Sequence, residues 1–113
     1  MSAIHKRTQA KWSYIYRVRH PETLEIKYVG ATIDMKRRVY QLGRGQFCSM
    51  AMRDWAHNLR NAGLKPVFEV LQKVQTKKRG PAEKSWIDYH VQQGVKLFNV
   101  DGVTRKWSNE KLT

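Results

Sequence analysis

Two tyrosines, an arginine and a glutamate supply the residue types that chemistry at a phosphate would need. Tyr16 and Tyr28 each sit in a short run with strand-like alternation, Arg38 at the edge of an apolar helical stripe, and Glu83 inside another. A phenol has a reference pKa of about 10, so it takes up a proton near neutrality only with help from a cation or a metal. A guanidinium fork holds phosphoryl oxygens through two parallel donors. The glutamate has two readings: a first-turn acid that answers the helix dipole or caps the terminus, or a charge kept on an inward surface for a ligand.

The segments around these residues must bring them together. From Trp12 to Gly30 the chain reads as two strands. Tyr14, Tyr16 and Val18 alternate with Ile15, Arg17 and Arg19, and Leu24, Ile26, Tyr28 and Gly30 alternate with Glu25, Lys27 and Val29. His20-Pro21-Glu22-Thr23 supplies the turn. A hairpin centred on Glu22 sets Tyr16 directly opposite Tyr28, with both rings on one face. Gly30 to Asp34 turns into a helix from Asp34 to Leu42, stopped by Gly43 and Gly45, with Met35, Val39 and Leu42 as its apolar stripe. On that wheel Arg38 lies beside the stripe, Lys36 and Arg37 fall on the solvated side, and Tyr40 points about 140° from Met35. A second helix fits Ser49 to Asn61 and ends at Gly63. Val67 to Leu71, with Val74 after it, reads as a third strand. Lys77-Lys78-Arg79-Gly80-Pro81 reads as a basic loop. A third helix from Ala82 to Gln93 shares one face among Glu83, Trp86, Ile87 and His90. Leu97-Phe98-Asn99-Val100 reads as a short extended segment, with Asn99 at its end.

With these elements in order, Tyr14-Ile15-Tyr16 followed by Tyr28-Val29-Gly30 resembles the paired motif that names the GIY-YIG nucleases. Eleven residues separate the two tyrosines, Arg38 follows Gly30 by eight, Glu83-x-x-Trp86-Ile87 opens a helix, and Leu97-Phe98-Asn99 precedes Gly102. The likeness spans residues 12–102, nearly the whole chain. Tyr14 stands where the family name has glycine. The resemblance implies a metal-dependent DNA endonuclease with Tyr16, Tyr28, Arg38 and Glu83 as catalytic residues. It makes Glu83 the ligand of one Mg²⁺ or Mn²⁺, with Gly30 and Asn99 positioning the phosphate. Mg²⁺ keeps much of its hydration and needs few protein ligands. Many relatives carry His or Tyr four residues after the arginine, where this chain has Leu42. That departure keeps open an alternative: a weak or inactive nucleic-acid-binding protein on the same scaffold.

Composition narrows the partners. The 113 residues carry 22 Lys and Arg against 9 Asp and Glu, a net +13, which favours a polyanion. DNA is expected over RNA, with Lys27, Lys36, Arg37, Arg44, Lys77, Lys78 and Arg79 as candidate contacts. Specificity is expected to be low, supplied by the loops Arg44 to Phe47 and Gln75 to Gly80, or provided by a partner. A monomer or weak homodimer is expected. One core is anticipated over residues 12–102, between a basic arm (1–11) and a basic tail (103–113). The fold class expected is α/β (α+β), a small antiparallel sheet of about three strands flanked by helices. His5, His20, His57 and His90 lack Cys or acid partners at ligand spacing, so no zinc site is expected, and His90 reads as a core histidine. The single Cys48 reads as a core filler and suits a reducing cytoplasm, the host cell's if the chain is phage-encoded. No apolar run approaches a membrane span, and the N-terminus lacks a signal-peptide core.

Overall fold

The computed structural model describes residues 10–46 and 49–99. The expectations for His5, Cys48, Val100, Gly102, the basic tail and most of the N-terminal arm lie outside them. Three strands form one antiparallel sheet: β1 (Trp12–Arg19), β2 (Ile26–Thr32) and β3 (Val67–Gln75), in the order β2-β1-β3. Three helices join them: α1 (Met35–Gly43), α2 (Met50–Asn61) and α3 (Arg79–Gln92). This is the α+β domain expected, with β1 central because it carries the most continuous apolar alternation.

The sheet packs on both faces. On one, Ile15, Val29, Val74 and Leu97 form a buried cluster with Ala82, Trp86 and Ile87 of α3. On the other, Tyr16 and Val18 meet Leu42 of α1 and Met52 of α2, with Tyr28, Met35, Trp55, Phe68 and Phe98 around them. Strand side chains alternate between faces, so the one central strand feeds both cores. Val39 departs from its expected place in the stripe: it is exposed and faces a groove between α1 and α2.

The helix starts follow their caps. Asp34 accepts from Arg37 N at 3.0 Å and Ser49 from Met52 N at 3.2 Å, each satisfying an amide that the first turn leaves open. Gly43 is still helical, with Arg44 as the cap and Gly45 the left-handed residue after it, whereas Gly63 ends α2 in the expected left-handed conformation. The basic loop is corrected. Thr76–Lys78 is a 3₁₀ turn, and α3 starts at Arg79, running through Gly80 and Pro81. Proline is tolerated there because a first-turn amide has no helical partner to lose. Glu83 therefore lies beyond the first turn, which holds no acid, and the dipole-capping reading of it falls.

The hairpin register is also corrected. Tyr16 pairs with Gly30 and Val18 with Tyr28, while Arg19 pairs with Ile26. Two features move the register. The loop is longer than a four-residue turn: His20 N donates to Glu25 O at 2.8 Å, Leu24 N donates to His20 O at 3.0 Å, and Leu24 takes φ +64°. A bulge then places Lys27 between paired positions. The partner of Tyr16 moves by two residues, from Tyr28 to Gly30, so both tyrosines stay on one face as diagonal neighbours.

Residues 95–99 wrap the outer edge of β2. Leu97 is buried on the α3 face and Phe98 packs on the other. Between them and the strand, Asn99 pairs with the backbone of Val29. Its Oδ1 accepts from Val29 N at 2.9 Å and its Nδ2 donates to Val29 O at 2.7 Å. The segment is thus a cover over an edge, starting a helical turn at Phe98, and not the short extended segment expected. Asn99→Ala strips both partners from Val29 and is expected to lower stability by about 1–3 kcal/mol, read from the urea midpoint.

On the α3 face, Glu69 is held by Arg17 Nε at 2.6 Å and Arg19 Nη1 at 3.0 Å. The hydrogen bond from Arg17 leads in holding its carboxyl below the usual value, against a smaller desolvation in the other direction. His90 is buried beside this pair. Its Nδ1 faces the Trp86 carbonyl at 2.7 Å and its Nε2 faces Arg17 Nη1 at 3.2 Å. A carbonyl only accepts and a guanidinium only donates, so the proton sits on Nδ1 and Nε2 accepts. His90 is the core histidine expected.

Candidate functional site

Gly30 is the floor of the site. A Cβ on it would lie 2.6 Å from Tyr16 Oη and 2.8 Å from the Tyr28 ring. With no side chain there, the Tyr16 ring lies over its cross-strand partner and Tyr28 comes alongside, centroids 6.3 Å apart and tilted 47°. Phe68 of β3 holds the other side of Tyr16 at 6.2 Å. Gly30→Ala drives a methyl into both rings and is expected to lower stability by about 1–3 kcal/mol. Gly43→Ala, where a Cβ meets nothing within 4 Å, is the control that should melt no earlier than wild type.

Arg38 reaches this floor from α1. Its Nη1 donates to Tyr16 Oη at 3.0 Å. The wheel picked out this arginine correctly: Arg38 is half-buried against the sheet, while Lys36 and Arg37 are exposed. A cleft of about 310 Å³ opens above, lined by Tyr16, Tyr28 and Arg38 together with Gln41, Leu42, Gln46 and Met52. Tyr16 itself is fully buried, so its oxygen lies beneath the arginine at the bottom of the cleft. Leu42 is buried in the core and brings no polar group to the site. The motif spacing does not single out the two glutamines. Gln41 had a legible signal, since it follows Arg38 by one helical turn. Gln46 is placed by a loop bond, its N donating to Gln41 O at 3.0 Å, which no periodicity announces.

Glu83 comes from α3, packed on the opposite face, and does not line the cleft. It is nonetheless within the electrostatic field of Arg38. Desolvation pushes its carboxyl above the usual range, and the charges of Arg79, one turn earlier, and Arg38 pull it back in part. The contrast with Glu69 is informative. Glu69 is locked by two guanidinium groups at 2.6 and 3.0 Å, whereas Glu83 is half-buried and forms none of the ion pairs among the described residues. Burying a carboxylate without a paired cation is unfavourable. Such a group is well suited to a cation from outside the chain.

Those described residues gather no group of three or more His, Cys, Asp or Glu. A divalent ion at Glu83 would therefore have few protein ligands, which fits Mg²⁺ or Mn²⁺ completing their shells with water and substrate oxygens.

The remaining candidates separate. Asn99 is engaged with Val29 at the edge of β2. Lys27 lies 5.1 Å over the Phe98 ring and 3.5 Å from Glu25. Arg44 donates to Tyr40 Oη at 3.1 Å and turns toward the groove between α1 and α2. Lys77, Lys78 and Arg79 are exposed where α3 begins. Among the described residues no helix is long and apolar enough to cross a membrane. Compared with known proteins, the chain matches no family model, no curated protein and no solved structure.

Proposed function

We propose that the chain is a divalent-metal-dependent DNA endonuclease of the GIY-YIG type, acting through Tyr16, Tyr28, Arg38 and Glu83. One observation carries the reading: Arg38 Nη1 donates to Tyr16 Oη at 3.0 Å above a glycine that both tyrosine rings require. A guanidinium donating to a phenol oxygen favours negative charge on that oxygen. It also sits where a phosphate entering the cleft would bind. As the fork turns onto the phosphoryl oxygens, it uncovers Tyr16 Oη to the attacking water. The water oxygen then forms its bond to phosphorus, and its proton passes to Tyr16 Oη, which receives it as the phenolate. The bond from phosphorus to the leaving sugar oxygen breaks, and that oxygen takes a proton from solvent water. Tyr28 packs beside Tyr16 and keeps its oxygen aimed, and Arg38 stabilises the charge that develops. A Mg²⁺ or Mn²⁺ ion bound at Glu83 would supply Lewis-acid stabilisation of the phosphoryl oxygens.

The net charge of +13 supports a nucleic-acid partner. A second reading, a nucleic-acid-binding protein that cleaves weakly or not at all, is favoured by Leu42, which puts an apolar core residue where many relatives have a proton-transfer helper. Both readings give salt-dependent binding, so cleavage must separate them. Supercoiled, linear and single-stranded DNA incubated side by side with Mg²⁺, Mn²⁺ or EDTA should show metal-dependent nicking. DNA left intact with every metal supports the second reading.

A further inference from the structure

A second cavity lies outside the cleft above the tyrosines. It is a groove of about 930 Å³ between α1, α2 and the segment leading into β3. Its wall is apolar, with Val39, Leu42, Leu64 and Phe68, and Arg44, Arg53, Arg60 and Lys65 also border it, against the single acid Asp54 among the described residues. Leu42 lines both cavities, so the groove and the cleft are neighbours. Tyr40 also lines it: this residue is 63% exposed, and the Arg44 guanidinium lies 5.6 Å from the centre of its ring. A large aromatic left in water and backed by an arginine is the arrangement on which nucleobases stack.

The occupant must have a flat apolar body and an anionic edge. A phosphate alone leaves the apolar wall uncovered, and a purely apolar ligand leaves the cations unanswered. A nucleotide answers both. We propose that this groove receives an unpaired nucleobase of the substrate, stacked on Tyr40, with its flanking phosphates on Arg44, Arg60 and Lys65. The inference rests on the nucleic-acid reading above and narrows it. The favoured substrate is DNA with an unpaired nucleotide beside the phosphate in the cleft. Extruding a base is least unfavourable where pairing is already absent, which is the source of the preference.

The test uses the full chain in EDTA, so that no cleavage intervenes. It compares one duplex carrying a single bulged 2-aminopurine with the fully paired duplex of the same sequence. The wild type should bind the bulged duplex about tenfold more tightly and change its fluorescence on binding. Tyr40→Ala should remove that preference while binding the paired duplex as before, and Tyr40→Trp should keep it. Equal affinity of the wild type for both duplexes overturns the proposal, as does an equal loss on both in Tyr40→Ala. Plasmid nicking, measured separately, keeps the two readings distinct. Nicking without a bulge preference removes the groove proposal alone, and a bulge preference without nicking removes the nuclease reading alone.

Discussion

Glu83→Gln is expected to lower Mg²⁺-dependent plasmid nicking by about 10²–10³-fold while leaving the protein at least as stable at neutral pH. The two halves of this expectation come from the same feature. Burial raises the carboxyl of Glu83, and the more distant charges of Arg79 and Arg38 offset that only in part. A raised carboxyl favours the folded state while it is protonated, and this contribution is lost as pH rises through the raised value. At neutral pH the ionised side chain therefore opposes folding, and an amide of the same shape relieves it. Thermal melts with and without Mg²⁺ separate this from a merely structural role. The ion should raise the melting temperature of the wild type and not of the variant. Should the variant nick at the wild-type rate, Glu83 is not the metal ligand.

Arg38→Ala should reduce nicking on the same scale, about 10²–10³-fold, through a different loss. The substitution removes the donor on Tyr16 Oη and the cation available to the phosphate. It also removes one of the two charges that lower the Glu83 carboxyl. The activity that remains should therefore need a higher pH than the wild type, because Glu83 ionises later. Arg38→Lys should not restore the rate: an ammonium is a point charge, without the planar fork that would span a phosphate. A lysine variant with wild-type rate and pH profile would reduce the role of Arg38 to bulk charge.

How much of this was legible in the sequence depended on the range of the interaction. Local features read well. Asp34 and Ser49 announced helix starts through their side-chain oxygens, Gly63 announced an end, and the 3.6-residue period separated Arg38 from Arg37. Side-chain alternation put Tyr16 and Tyr28 on one face even though the register was wrong by two residues. The register itself depends on a bulge at Lys27 and a left-handed Leu24, neither of which composition reveals. Gly80-Pro81 reads as a break and hides the start of α3, although proline is harmless in a first turn.

The longest-range relations were the least visible. Asn99 lies 70 residues from the backbone it pairs with. That contact exists because β2 is an edge strand, a property of the sheet order and not of the local sequence. The convergence of Arg38 and Glu83 from opposite faces of the sheet is of the same kind. Periodicity showed that each pointed inward, and only the packing brings one into the field of the other.

The most direct test is the nicking rate of Tyr16→Phe beside the wild type, on supercoiled plasmid across a Mg²⁺ titration. Phenylalanine keeps the ring between Tyr28 and Phe68 and removes only the oxygen that Arg38 meets. The wild type should convert supercoiled to open-circular DNA with Mg²⁺ and not with EDTA, and the variant should be slower by about 10²-fold or more. Equal rates for the two proteins, or an intact plasmid with wild type at every Mg²⁺ concentration, would contradict the paired-tyrosine account.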